Sequence, residues 1–295
     1  LILLAPSSYK GRFAPSPTGP LHLGSLYTAL ASFLQARSQQ GAWLVRIDDL
    51  DTPRNVKGAS DLILTTLDRF GLHWDESVYY QSQHLDDYQH FLAQLSAAQL
   101  LYPCICSRKT LQQSASAIYP NFCRHLSTLP TTPYALRLKT CASEISFSDL
   151  LQGQITHNIA EQHGDFIVQR KDKIIAYPFA VVIDDWLQGI TEVVRGSDLL
   201  HCTPAQIYVQ QRLNFQPLSY LHVPVVVDLQ GQKLSKQTRA SPVSLHNPGA
   251  TLFDLLNLLQ QQPPANLGNA PIKEILDWAI EHWQPTALLN RLVLT

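Results

Sequence analysis

Methionine is absent from the chain, position 1 included, so the sequence is expected to begin downstream of its translated start. Charged residues are scarce at 15%, and the formal net charge is −1. No global field therefore recruits nucleic acid; any such contact has to come from local patches. No apolar run reaches the roughly 18 residues that a membrane-spanning helix needs. Leu1–Ala5 is apolar but too short for a secretory signal and has no basic start, so a cytoplasmic protein with no membrane partner is expected. Cysteine is limited to five residues, an odd number, and three of them cluster. That argues against a closed disulfide framework and for a reducing compartment and a metal. No internal repeat is present.

What the chain does have is length and apolar content. Its 295 residues are 45% hydrophobic, enough for a substantial core and more than one domain. Charge is uneven: residues 1–60 carry six Lys/Arg against three Asp/Glu, and residues 61–100 carry one against six. Residues 101–180 carry eight against five, and with the C-terminal helices they are the candidate surface for RNA.

The periodicity reads as an α/β protein. Lys10–Ala14 reads as a short strand, and Leu23, Leu26, Leu30, Phe33 and Leu34 mark a helix to about Gln39. Trp43–Ile47 reads as a buried strand, and helices follow around Ile63–Phe70 and Tyr88–Leu100. This alternation predicts a parallel, Rossmann-type sheet with covered faces. The pattern breaks at Leu101. The expected organisation is a first half of the sheet domain over 1–101, an inserted α+β subdomain over 102–175, the second half over 176–240 and a short helical region over 241–295. Ala176–Ile183 is strongly apolar and predicts a strand ending at Asp184-Asp185; Val193–Arg195 and His222–Val227 predict two more.

Two segments carry chemistry. Arg12-Phe-Ala-Pro-Ser-Pro-Thr-Gly-Pro-Leu-His-Leu-Gly-Ser25 is a turn-rich loop that runs into a helix. Its prolines and Gly19 fix a tight turn, and the helix start offers N–H groups and a positive dipole end suited to phosphate. Gly24 lets a flat base approach the backbone, and His22 can donate to a phosphate oxygen. Lys233-Leu-Ser-Lys236 is a short basic loop whose lysines can neutralise charge on a transferring phosphoryl group. Alone, the first could be a simple helix cap and the second a solvated loop. Together, on a split sheet, they read as the two ends of a clamp for a nucleoside triphosphate.

The pair resembles the two motifs of class I aminoacyl-tRNA synthetases. Arg12–Gly19 narrows the resemblance to the glutamyl branch, as do Arg46-Ile-Asp-Asp-Leu-Asp51 with Pro53-Arg54, and Thr191–Asp198. About 55 residues follow Ala240, too few for the anticodon-gripping region of a full glutamyl-tRNA synthetase. The chain is therefore similar to the short glutamyl-Q tRNA(Asp) synthetases. The resemblance implies an enzyme that activates L-glutamate with ATP and Mg²⁺ without tRNA, then esterifies queuosine in the anticodon stem-loop of tRNA(Asp), as a monomer. A shortened enzyme that charges the acceptor end, or a silent tRNA-binding paralogue, are the alternatives. Implied ATP-site residues are Pro15, His22, Gly24, Ser25, Lys233, Ser235 and Lys236, with His22 and Lys236 catalytic. Implied glutamate ligands are Arg12, Ala14, Ser16, Asp48, Tyr177 and Arg195. An arginine fork suits a carboxylate, and Asp48 stands where the family often has Glu to meet the α-ammonium group. The alternatives are a surface ion pair from Arg195 to Glu192 or Asp198, and a core role for Tyr177.

Cys104, Cys106 and Cys123 can meet at one tetrahedral ion, which leaves a fourth position. Buried free cysteines are the competing reading. The resemblance implies structural Zn²⁺ with Tyr119 as the fourth ligand, and His125 is the alternative because imidazole is the commoner donor. Cys141 and Cys202 are expected in the core.

Overall fold

Strand β1 (Lys10–Phe13) and strand β2 (Ala42–Ile47) pair in parallel, Gly11 opposite Trp43 and Arg12 opposite Leu44. Helix α1 (Leu23–Ser38) is the crossover between them. The structure, a computed structural model, describes residues 9–112, 114, 118–126, 128–227 and 242–294. α1 is buried almost continuously from Leu26 to Ala36, because the sheet covers one side and the C-terminal helices cover another. Its small residues Ala29, Ala31 and Ala36 allow that close approach. Two buried polar residues inside this stretch, Ser32 and Gln35, are each paired on both sides. Ser32 Oγ donates to Arg12 O and accepts from Trp43 Nε1; Gln35 donates to Glu192 and accepts from Trp283 Nε1. Paired in this way, they avoid the penalty of a buried unsatisfied group.

The chain continues through α2 (Ala59–Arg69), β3 (Tyr79–Tyr80), α3 (Leu85–Ala97), β4 (Leu101–Cys104), α4 (Arg108–Gln112) and β5 (Ala135–Leu138). Next come β6 (Glu144–Asp149), β7 (Gly153–Asn158), α5 (Ile159–Gln162), β8 (Phe166–Gln169) and α6 (Tyr177–Leu187). The last elements are β9 (Glu192–Gly196), α7 (Thr203–Arg212), β10 (Ser219–Val223), β11 (Val225–Val226), α8 (Pro248–Leu258), α9 (Ile272–Glu281) and β12 (Val293–Leu294).

β1, β2 and β3 form one parallel ladder, and β9 and β10 form another. β9 lies beside β1, where Thr191 N–H donates to Lys10 O at 2.9 Å. The spatial order across these strands is therefore β3-β2-β1-β9-β10. The chain winds one way from β1 to β3 and the other way from β9 to β10, so β1 and β9 flank a topological switch point. Residues 102–175 contribute to two sheets. β4, β5 and β8 pair antiparallel in a separate sheet, whereas the β6–β7 hairpin extends the main one through Tyr220 opposite Asp149.

One predicted element changes type. The expected strand Ala176–Ile183 is the first part of helix α6. Pro178 sits in its first turn, where a missing N–H costs nothing, and residues 179–185 are all buried. A helix covered on every side shows a continuous apolar run, and over so short a window that run reads equally well as a buried strand. The predicted His222–Val227 strand is also divided, into the end of β10 and the separate strand β11, which pairs with β12 near the C-terminus.

Candidate functional site

A cleft of about 570 Å³ opens at the carboxyl ends of β1, β2 and β9, the position that the switch point favours for a ligand. The loop after β1 forms one wall. Asp48 N–H donates to Pro15 O at 3.0 Å and Val56 N–H to Pro17 O at 2.9 Å, which ties this loop to the segment after β2. Pro15, His22, Gly24 and Ser25 line the cleft, as do Ala14 and Ser16. His22 is the N-cap of α1 with an extended backbone, and its Nδ1 accepts from Ser25 N–H at 3.2 Å. Its Nε2 stands 2.9 Å from Ser25 Oγ. Capping thus holds the imidazole at the positive end of the α1 dipole, facing the cleft.

The opposite wall carries Asp48, Tyr177, Arg195 and the strand residues Val225 and Val226. Lys233, Ser235 and Lys236 lie outside the described residues. On one side of that stretch the chain leaves the cleft wall after Val226. On the other it returns beside the first motif, where Pro242 bridges to His22 and Val243 N–H donates to Leu21 O at 2.9 Å.

Arg12, Arg46 and Asp48, which line the cleft, belong to a buried charge cluster at its floor. Arg12 grips Asp185 with Nε at 3.0 Å and Nη2 at 3.2 Å. Arg46, with no exposed surface, donates from Nε to Asp48 Oδ1 at 2.8 Å and from Nη1 to Asp185 Oδ1 at 2.7 Å. Asp184 accepts from Tyr88 OH and Gln81 Nε2, both at 2.6 Å. Burial pushes the Asp48 carboxyl up to about 6, against the pull of Arg46. Burial acts on Asp185 in the same direction, but Arg12 and Arg46 outweigh it and hold that carboxyl below its ordinary range. Arg46, Asp184 and Asp185 thus belong to a buried cluster that the sequence reading leaves out of its candidate site. A helical reading of 177–187 supplies the missing signal, since two adjacent buried acids on one helix demand buried cations.

Arg195 is buried, not part of a surface ion pair, and Tyr177 is 39% exposed to the cleft instead of forming core. Their side chains approach each other, Arg195 Nη1 standing 3.4 Å from Tyr177 OH.

The cysteine cluster lies apart from the cleft, beside β4. Cys104, Cys106 and Cys123 bring their sulfurs within 4.8 Å of one another. Cys106 and Cys123 Sγ are 3.6 Å apart, and Tyr119 OH stands 3.5 Å from Cys104 Sγ and 3.7 Å from Cys106 Sγ. A tetrahedral ion with S bonds of about 2.3 Å and an O bond of about 2.0 Å separates sulfurs by ~3.8 Å and sulfur from oxygen by ~3.5 Å. The donor set therefore fits zinc. The Arg137 guanidinium lies 3.6 Å over the Tyr119 ring and would offset part of the thiolate charge. His125 is exposed and is not part of the converging group. Cys141 is exposed and Cys202 half-buried, against the expectation that both are core; their neighbours are polar, Ser143 and His201.

Among the described residues no helix is long and apolar enough to cross a membrane. The family of tRNA synthetases class I (E and Q), catalytic domain, matches residues 9–248. The glutamyl-Q tRNA(Asp) synthetase of Dechloromonas aromatica is 47% identical over 284 residues, 94% of each chain. That of Pseudomonas aeruginosa is 45% identical over 282 residues, 96% of each chain. In fold, the chain is similar to the glutamate-tRNA synthetase of Elizabethkingia anophelis, with a TM-score of 0.82 at 24% identity, over 98% of this chain and 68% of that one.

Proposed function

The chain belongs to the glutamyl-Q tRNA(Asp) synthetase family of class I tRNA synthetases, and from that premise we propose that it activates L-glutamate with ATP before any tRNA binds, then transfers the glutamyl group to the queuosine base of tRNA(Asp). The observation that supports this reading is that the first motif, with His22 at a helix N-terminus, and Arg195 line one cleft at the switch point.

In the proposed reaction an oxygen of the glutamate α-carboxylate attacks the α-phosphorus of ATP. The bond to the bridging oxygen breaks, and pyrophosphate leaves with the electron pair. The carboxylate is already ionised at neutral pH, so no protein base is required. The protein's task is alignment and charge stabilisation. ATP arrives as its Mg²⁺ complex, which neutralises part of the triphosphate charge. Pro15, Gly24 and Ser25 shape the nucleotide wall, and His22 with Lys233, Ser235 and Lys236 stabilises the charge on the leaving phosphates. Arg12, Tyr177 and Arg195 bind glutamate, Ala14 and Ser16 frame it, and Asp48 meets its ammonium group. In the second step a hydroxyl on the queuosine cyclopentene ring attacks the mixed anhydride and AMP leaves. Away from the cleft, Cys104, Cys106, Cys123 and Tyr119 hold one structural Zn²⁺.

Glutamate-dependent pyrophosphate exchange into ATP without tRNA tests this reading. We expect exchange with tRNA omitted, and a large loss in Lys236→Ala. Exchange that appears only when tRNA is added contradicts it and favours an acceptor-charging enzyme.

A further inference from the structure

The Arg195 guanidinium is held from behind. Its Nε–H donates to His222 Nε2 at 3.0 Å, and Nη2 donates to Thr203 Oγ1 at 2.9 Å and to Gln206 Oε1 at 2.7 Å. Nη1 is the nitrogen directed at Tyr177 and the cleft. His222 sits on β10 directly opposite Arg195 on β9 and has no exposed surface. Its other ring nitrogen, Nδ1, stands 2.6 Å from Asp149 Oδ2. Asp149 closes β6, and its carboxylate is itself pinned: Oδ1 accepts from Leu151 N–H at 3.0 Å and Gln152 N–H at 2.9 Å.

The direction of each hydrogen bond follows from the donors. An arginine Nε can only donate, so His222 Nε2 has to offer its lone pair. The ring proton of the neutral imidazole then lies on Nδ1, where the Asp149 carboxylate receives it. The opposite tautomer, or an imidazolium, would aim an N–H at the Arg195 N–H. Burial pushes the imidazole pKa down, consistent with a neutral ring beside a guanidinium.

We propose that Asp149 and His222 are positioning residues for glutamate binding: Asp149 selects the His222 tautomer, and His222 fixes Arg195 so that Nη1 meets the substrate before it arrives. Arginine carries large rotamer freedom, and ordering it in advance removes that cost from binding. The inference rests on the reading of Arg195 as a glutamate ligand. It also gives the β6–β7 hairpin a part in the site although none of its residues lines the cleft.

The test is steady-state pyrophosphate exchange on four variants, with KM for glutamate and for ATP and the melting temperature read for each. Arg195→Ala should raise the glutamate KM. Asp149→Asn frees the tautomer and should raise the glutamate KM about tenfold, as for loss of one hydrogen bond to a charged group, with the ATP KM unmoved. His222→Gln supplies an amide oxygen in place of Nε2 and should stay within about threefold of the unaltered protein, since the acceptor is kept. Adding Asp149→Asn to His222→Gln should then cost nothing further, because an amide has no tautomer to set; this pair carries the test if Asp149→Asn alone fails to fold. A glutamate KM for Asp149→Asn within twofold of the unaltered protein overturns the relay when Arg195→Ala is impaired. An equal rise in the ATP KM also overturns it, as would additional loss in the double variant. An unmoved glutamate KM in Arg195→Ala removes the glutamate-site reading itself, and the relay with it.

Discussion

Five buried charges meet at the floor of the cleft, and they do not balance. Arg12 and Arg46 supply two positive charges; Asp48, Asp184 and Asp185 supply three potential negative ones. Burial raises two of the three acids, Asp184 and Asp48, the latter up to about 6, and Asp48 is the one that faces the cleft. A carboxyl whose folded pKa lies above its unfolded value of 3.8 adds stability below that value, and the contribution is lost as pH rises through about 6. Glutamate binding runs the other way. On the proposed reading, the incoming ammonium group favours the ionised carboxylate. We therefore expect the glutamate KM to fall as pH rises from 5 to 7, and the Asp48→Asn variant to lose most of that slope. A pH profile identical in both proteins would contradict this role for Asp48. The acids at 184 and 185 were visible in the sequence, but their importance depended on partners at 12 and 46, far away along the chain.

Among the elements, legibility followed how completely each one is covered. α1, β1 and β2 were legible because a turn-rich loop and a clear change of period separate them. α6 was not, since burial on all sides erased the polar face that marks a helix. The cysteine knuckle lies between these cases. Its three sulfurs were legible from residue type, whereas the choice between Tyr119 and His125 needed the fold, which turns His125 outward. Burial, followed by hydrogen bonding with the Cys104 and Cys123 thiols, pushes the Tyr119 phenol well above its ordinary range, so ligation depends on the cation to draw off that proton. We expect elemental analysis to give one zinc per chain, and Cys123→Ser to abolish it. Chelation should lower the melting temperature and open residues 102–125 to proteolysis. A metal-replete preparation with no zinc, and a melting temperature insensitive to chelator, would contradict the assignment.

Over the whole molecule, the parallel strands and their order set the place of the chemistry. Motif residues separated by well over a hundred positions, Arg12 and Arg195 among them, meet because β1 and β9 lie side by side. The sequence motifs indicated a nucleotide clamp; they did not indicate that Asp149, on a hairpin assigned to the insert, stands behind Arg195 through His222. That link is carried by the pairing of β6 with β10, and strand pairing across such distances has no local signal. The C-terminal strand β12 is likewise seated on β11 at the cleft wall, a contact that composition does not reveal.

The central claim is that this cleft serves a tRNA modification and not acceptor charging. Transfer of labelled glutamate to tRNA(Asp) with and without queuosine, at equal concentration, tests it most directly. The account predicts label on the queuosine-bearing tRNA and none on the unmodified transcript. Equal labelling of the two would contradict it.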